Sequence, residues 1–566
     1  MKMKNNGDIA FLVYGYMNRG KHEGENGISV YQYTASDQKI EELGFIPTQI
    51  QYDMMKNDFG EERKKKRNFK YIRTYFDMEE HDGYTLDDQT WDDFNMDEVF
   101  EKVDRTYSSA GEAILYKMLR NPLHDKKKLD ERDKFIEELR SDSDLRTKLQ
   151  MIYFKLGYDR KNTFLDMIME PLEENKTKYY LYIFFGRVLM LGTIILSILF
   201  KEPYWLLVTF CLLWVNVFIN DKERKNVKSQ GLLYLRNIII SAKKIQKINN
   251  PKIKNYTDEI SKLLKELKAI DSATRTIHLA NVGGGVFEVL TIPFLLEETS
   301  FYRVASLLGE KREEIIDLYY LVGEIESYIS IASYKEEIKG KYTKPVFNDE
   351  VNINIVDGIH PLVKNAVANS IKFEKRGIVL TGTNMSGKST FLRMIGLNMI
   401  FAQTFNFTLT KKYEACFFNI VSSISPSDDV TLGKSFYMAE AEALLRIIKA
   451  LDLELPVFCP IDEIFRGTNP IERISSSAEI LKYINSKDSI SIVATHDREL
   501  TDILKDNYEF FYFSEKVDSK GLNFDYKLKR GVSKTRNAIK LLDYIGYPKE
   551  IIKKSYLRAE TLEKYM

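Results

Sequence analysis

Cysteine is scarce in this chain. The three that occur in 566 residues, Cys211, Cys416 and Cys459, lie far apart with no CxxC spacing and no paired histidines. That excludes a disulfide framework and a thiolate zinc site, and it points to a reducing compartment. A charge excess of one sign is also lacking. Lys plus Arg number 83 against 82 for Asp plus Glu, so the molecule as a whole has no field that would by itself draw in nucleic acid or an acidic membrane. Any contact with a polyanion must be local. The first residues, MKMKNNGDIAFLVYGYMN, hold a short apolar patch but no long hydrophobic segment and no small-residue cleavage site. A cleaved export signal is therefore not expected.

The densest local charge is RKKKRNFK, Arg63 to Lys70. It can touch phosphates or lipid headgroups, but such runs are more often a solvated face or a linker, and the plainer reading is preferred.

Long hydrophobic runs, by contrast, are present. From Tyr179 to Asn220 the sequence reads YYLYIFFGRVLMLGTIILSILFKEPYWLLVTFCLLWVNVFIN. The turn KEP at Lys201 to Pro203 divides it into two mostly apolar pieces, each approaching the roughly 20 residues needed to cross a bilayer. A helical hairpin is the natural reading. Lys176 and Lys178 precede it and Lys222, Arg224, Lys225 and Lys228 follow it, which leaves both ends on the cytoplasmic face of an inner or plasma membrane. Tyr179, Tyr180, Tyr182, Tyr204, Trp205 and Trp214 supply interface aromatics, and Arg187 must snorkel. The alternative is a pair of buried core helices in a cytoplasmic protein. A third apolar run, VFEVLTIPFLL at Val286 to Leu296, carries Glu288 and Pro293 and is too short to span, so it reads as core.

These features divide the chain into residues 1–75, of no assignable role; a helical region 76–178; the hairpin 179–220; a helical continuation 221–340; and an α/β region 341–566. The helical regions interleave charged and apolar residues at helical spacing. Beyond 341, short β-rich runs such as GIVLTG, LPVFCPIDE, SISIVATHD and NYEFFYFSEKV alternate with helices, the pattern of a largely parallel sheet.

Within that region GTNMSGKS, Gly382 to Ser389, satisfies G-x-x-x-x-G-K-S. It follows the strand-like GIVLT and opens a helix, the context that marks a phosphate-binding loop. Gly382, Thr383, Asn384, Met385, Ser386, Gly387, Lys388, Ser389 and Thr390 are thus the expected ATP-binding residues. Backbone N–H groups turn toward the phosphates, Lys388 reaches their β and γ oxygens, and Ser389 ligates Mg²⁺. Asp462 and Glu463 end the apolar strand PVFCPIDE, where the first acid holds the Mg²⁺ shell and the second polarises water. His496, ending SIVATH, is placed to sense the γ-phosphate, although a histidine at a strand end is often structural. Pro460 would remove a ladder hydrogen bond from this strand, so a local irregularity is expected.

Four blocks in order carry a family resemblance. TGTNMSGKST resembles the MutS loop TGPNMxGKST, with Thr383 in the place of proline. SPSDDVTLGKSFYMAEAE, Ser425 to Glu442, is similar to ASDDLxxGxSTFMxEM; IDEIFRGTNPIER resembles DEIGRGTSTxDG; and ATHDREL resembles ATHxxEL. Leu86 to Leu139 is similar to the MutS core, and GIHPL at Gly358 to Leu362 resembles the block upstream of the loop. The resemblance implies a multidomain α and α/β protein. A helical core and lever region, here interrupted by the transmembrane hairpin, would precede a P-loop ATPase domain with a largely parallel sheet. It also implies a homodimeric ATP hydrolase in which Ser435 and the loop around Gly433 reach the partner's γ-phosphate, with Gly467 to Asn469 at the same boundary. Lys388, Glu463 and His496 would be its catalytic residues, and Ser389 and Asp462 its Mg²⁺ ligands. DNA is the implied client. The Phe-x-Glu wedge that reads mismatches and an appended nuclease module are not expected, which leaves open a client that is a protein or a lipid. A transporter of the LSGGQ type is disfavoured, since that signature is missing.

Overall fold

The computed structural model describes residues 22–23, 29–30, 48–81, 83–170, 172, 174–227, 230–282, 291–383, 386–425, 436–465, 468–518, 521–532 and 538–563. The chain forms two compact units that interleave in sequence. One comprises Met1–Glu80, Val103–Lys117 and Phe135–Glu337; the other comprises His81–Lys102, Met118–Lys134 and Ile338–Met566.

The first unit is mainly helical, as the 3.6-residue spacing implied. Its longest described helix, Arg312–Glu337, is buried on one side in its first half, through Leu318, Tyr319 and Val322, and all round from Ile325 to Lys335. Gly323 belongs to this packing, because a Cβ there would overlap the carbonyl of Ala110, so only glycine lets the two backbones approach.

The basic run does not behave as a solvated face. Residues 63–67 belong to neither helix nor strand, and their burial alternates from one residue to the next. Lys64 and Lys66 face water, while Arg63, Lys65 and Arg67 turn inward. Lys65 Nζ pairs with Asp104 at 2.8 Å and Glu112 at 2.7 Å, and Arg67 Nε with Asp104 at 2.8 Å. Burial opposes the charge on Lys65, but the two carboxylates more than offset it and its pKa is raised. Three of the run's cations are thereby committed to the fold.

The hydrophobic stretch forms two antiparallel helices. The first runs Lys176–Ile183, passes through a wider-turned segment Phe184–Leu189, and ends as Met190–Phe200; the second is Pro203–Val227. Lys201, at φ 54°, makes the turn. Glu223 ties the base together: it accepts from Lys178 Nζ at 3.0 Å and Tyr182 OH at 2.8 Å, and Tyr302 OH donates to its other oxygen at 2.9 Å. Lys176–Phe200 and Pro203–Glu223 are long and apolar enough to cross a membrane. Their outer faces are open, with Leu199 69% and Phe218 70% exposed, so they are not the buried core pair considered above. Of the third apolar run, residues 286–290 lie outside the described residues; Leu295 is buried as a core reading expects, while Ile292, Pro293, Phe294 and Leu296 are only half-buried.

Among the described residues the second unit contains three sheets, of six, four and two strands. In chain order its strands are β1 (Val346–Phe347), β2 (Ile353–Gly358), β3 (Asn369–Lys372), β4 (Gly377–Thr381), β5 (Lys412–Ala415), β6 (Asn419–Ile420), β7 (Val457–Asp462), β8 (Ser489–Thr495), β9 (Tyr508–Tyr512), β10 (Glu515–Asp518), β11 (Gly521–Phe524) and β12 (Lys529–Arg530). The largest sheet has the order β12-β9-β4-β8-β7-β6, parallel throughout except for the edge strand β12. β4, β7 and β8 are buried at every position, as expected of strands covered on both faces. A four-stranded sheet, β1-β5-β2-β3, stands beside it, and β10 pairs with β11 in a hairpin. Helices α1 (Lys388–Phe405), α2 (Phe436–Ala450) and α3 (Pro470–Asn485) connect the parallel strands.

Pro460 has the expected effect, displaced onto its neighbour. β7 itself continues through it, paired with Ile492 of β8. On the other side, Val421 N donates to Phe458 O and Ser423 N to Pro460 O, and Asp462 N donates to Ser423 O. The donor that would meet the Val421 carbonyl is the one proline lacks. β6 accordingly stops at Ile420 and resumes as a single bridge at Ser423.

Candidate functional site

The site lies at the carboxyl ends of β4, β8 and β7, three adjacent parallel strands, where open α/β sheets form their binding crevices. β4 delivers the chain into Gly382, at φ 148°, and the turn closes at Gly387, at φ 103°, before α1 begins. A Cβ on Gly382 would come to 3.0 Å from both Phe513 O and Ser386 Oγ, so a side chain is crowded there as well as disfavoured by the backbone conformation. Lys388 folds back over this loop, its Nζ donating to Gly382 O at 2.9 Å and Thr383 O at 3.0 Å, with His496 Nε2 3.4 Å away. Thr383 Oγ1 and Ser386 Oγ are buried in the loop without a hydrogen-bond partner among the described residues.

β7 and β8 bring in the acids and the histidine. Ser389 Oγ donates to Asp462 Oδ2, and the Asp462 amide is fixed by Ser423 O at 2.8 Å. Glu463 adopts φ 64°, a left-handed conformation uncommon outside glycine, held by its N–H to Ala494 O at 2.8 Å. That twist lets its carboxylate reach His496 Nε2 at 3.1 Å. Gly387, Lys388, Ser389, Asp462 and Glu463 line one cavity of about 900 Å³, and His496 joins them through Glu463 and Lys388. The oxygen donors of Ser389 and Asp462 suit a hard cation such as Mg²⁺, and the two unsatisfied hydroxyls in a glycine turn at a helix N-terminus suit a phosphate.

The far wall of the cavity escaped the sequence reading. It is made by His360, Val363 to Val367, Asn369 and Tyr526. Asn369 holds the Tyr526 loop in place, donating to Tyr526 O at 2.9 Å and accepting from Leu528 N at 2.9 Å. His360 accepts the Leu362 N–H at Nδ1, and burial together with the nearby Arg393 lowers its pKa to about 4. Two more contributions come from outside the motifs. Arg473 forms a two-pronged pair with Asp497, at 2.9 and 2.6 Å, joining α3 to the residue after His496. Asp93, fully buried, accepts from Ser422 Oγ at 2.7 Å, Ile424 N at 2.9 Å and Ser425 N at 2.7 Å, fixing the strip of cavity wall that contains Ile424 and Ser425.

Asn384, Met385, Gly433, Ser435 and Gly467 lie outside the described residues. Asn469 is described, and caps α3 by accepting the Ile471 N–H at 2.9 Å.

Residues 378–563 match the family MutS domain V. The chain carries a MutS domain V. It is 24% identical over 519 residues to the DNA mismatch repair protein MutS of Halothermothrix orenii, covering 82% of this chain and 57% of that one. It is also 30% identical over 279 residues to the MutS of Thermotoga maritima, covering 48% and 34%, and 26% identical over 285 residues to that of Thermus thermophilus, covering 47% and 34%. The chain thus spans between about a third and somewhat over half the length of these curated relatives. The family match begins inside β4 and takes in the glycine turn, both acids, His496 and Tyr526, whereas His360 and Val363 to Asn369 of this MutS relative precede it.

Proposed function

We propose that this MutS relative binds and hydrolyses ATP with Mg²⁺, as a homodimer tethered to the cytoplasmic face of a membrane by its hairpin. One observation carries the catalytic part: Lys388, Ser389, Asp462 and Glu463 line a single cavity beside a glycine turn at a helix N-terminus, with His496 paired to Glu463. There the amides of the turn and Lys388 hold the phosphates. Mg²⁺, when bound, neutralises charge on the β and γ oxygens, and Ser389 and Asp462 are its ligands. Glu463, oriented by His496, takes a proton from water as oxygen bonds to the γ-phosphorus and the bond to the bridging oxygen breaks. Val363, Ala366 and Val367 offer apolar surface and Tyr526 aromatic surface for the base. The resemblance adds Ser435 in trans, so each pocket is completed by a second copy.

Lys388→Ala removes the cation and should abolish turnover and weaken nucleotide binding, while Glu463→Gln should keep binding and lose turnover. Wild-type turnover in both variants would rule the site out. Sedimentation with and without nucleotide tests the dimer, and recovery of the chain wholly in the soluble fraction after alkaline extraction of membranes would remove the tether.

The relatives are named for DNA mismatch repair, and DNA is the first client this relation suggests. The structure also favours a second reading, a protein or lipid client. Arg63, Lys65 and Arg67, the best local candidates for phosphate contact, are committed to Asp104 and Glu112 or to backbone carbonyls, and phosphate binding draws on clustered cations. Salt-dependent binding to homoduplex, mismatched and branched DNA separates the two: no binding to any of them leaves the second.

A further inference from the structure

The described part of the third apolar run, Thr291 onward, lies against the side of the hairpin rather than beneath its base. Asn216 is fully buried and donates from Nδ2 to Pro293 O at 2.7 Å. A Cβ on Gly186 would overlap the Phe294 carbonyl oxygen, so glycine is what admits the close approach of the two backbones. Nearer the base, Asn220 donates to Glu298, and Arg187 lies 3.4 Å from Thr299 Oγ1. Side chains lean toward the N-terminus of their helix, so Arg187 reaches back toward the base, as a snorkelling cation must.

The level of these contacts is informative. At 1.5 Å per residue, Gly186 lies about 15 Å along from Lys176, and Asn216 lies about 10 Å from Glu223. Beyond them each arm has only about 20 Å left before the turn at Lys201. The hydrocarbon layer is about 30 Å thick, so arms that entered lipid only beyond this level would not cross it. The exposed apolar stripe shows where the apolar surroundings begin. Leu181, Phe184, Val188, Leu191, Ile195 and Ile198 recur at spacings of three and four, all between 46% and 68% exposed. The stripe begins on the base side of Gly186, and from Leu181 to Phe200 it covers about 29 Å, the thickness of the layer. Lipid that covers Leu181 and Phe184 also surrounds the level at which Pro293 is held.

Resting on the membrane tether proposed above, we infer that residues 291–296 lie inside the hydrocarbon layer beside the hairpin, so that acyl chains contact three segments of the chain and not two. The contacts fit that environment. Residues 292–295 form a turn, in which the Pro293 carbonyl needs a donor from elsewhere, and in lipid no water supplies one. The Asn216 Nδ2 group supplies one to the Pro293 carbonyl, and the carbonyl in turn takes up a donor that would otherwise be costly within an apolar helix.

The test uses the full chain with Cys211→Ser, since Cys416 and Cys459 are buried. An environment-sensitive fluorophore is placed at Ile292→Cys, Phe294→Cys or Ile195→Cys, and the protein is reconstituted in vesicles of phosphatidylcholine and phosphatidylglycerol. Quenching by nitroxides on the acyl chains is compared with quenching by an aqueous nickel chelate. The inference expects acyl-chain quenching at all three positions and little effect of nickel. Nickel quenching at 292 and 294 with acyl-chain quenching at 195 overturns it and leaves the tether standing. Nickel quenching at 195 as well overturns the tether, and the inference with it.

Discussion

Asp93 offers the sharpest test of how the cavity is built, because it sits outside every motif yet holds part of the wall. Its carboxylate is fully buried and accepts the Ser422 hydroxyl and the Ile424 and Ser425 amides, with Gln89 Nε2 at 3.0 Å as a fourth donor. In Asp93→Ala those donors lose their acceptor. Ser425 is exposed and can turn to water, but the Ser422 hydroxyl and the Ile424 amide cannot. At about 1–3 kcal/mol for each buried group left unsatisfied, less the desolvation cost of the carboxylate that is no longer buried, the loss is about 3 kcal/mol. Asp93→Asn keeps one acceptor oxygen but turns an amide toward two donors, and should cost roughly half as much. Urea unfolding followed by a probe in the α/β unit measures both. The order Ala worse than Asn worse than wild type, with an unchanged slope, is expected. Asp93→Ala within about 0.5 kcal/mol of wild type, the range of ordinary surface substitutions, would refute the reasoning and make the network incidental.

Tyr526→Ala removes the aromatic face of the cavity; base stacking contributes about 1–3 kcal/mol, so the ATP KM should rise roughly tenfold in steady-state hydrolysis with kcat little changed. Arg473→Ala releases Asp497 beside His496 and should lower kcat about tenfold at constant KM; Asp497→Asn should match it, and the double variant should be no worse than either. In the helical unit, burial lifts the Glu326 carboxyl from 4.5 to about 7. The folded chain therefore keeps a proton that the unfolded chain releases, so stability falls as pH rises through this window and levels off above it, by an amount on the order of 3 kcal/mol. Glu326→Gln should flatten the fall in urea midpoints measured across the same range.

Much of the α/β architecture was legible because parallel strands buried on both faces read as unbroken apolar runs, and β4, β7 and β8 are such runs. Even the disturbance at Pro460 followed from its missing N–H, although the break appears in β6. The basic run was misjudged for an equally physical reason. Charge alone does not say whether a Lys points to water or to an acid, and the partners Asp104 and Glu112 lie some 40 residues away in sequence. The interleaving of the two units was illegible too, since contact between Asp93 and Ser422 leaves no trace in local periodicity.

The motif half of the site was legible because phosphate chemistry demands adjacent residues: glycines for the turn, and a lysine and hydroxyl on the next helical residues. The rest of the cavity is under no such demand. A wall needs only the right surface at the right place, and Val363 to Val367 and Tyr526 reach it from segments some 160 residues apart, joined through Asn369. Glu463 falls between the two cases. Its position after the strand was readable, but its use depends on a left-handed backbone that an unbranched, non-glycine residue adopts only under constraint, here from Ala494. A β-branched residue at 463 would resist that twist, so Glu463→Gln is the informative replacement: it keeps the conformation and removes only the charge. If the twist serves to aim the carboxylate at His496, then Glu463→Gln and His496→Ala should lower turnover together and non-additively, because each disables the same pair.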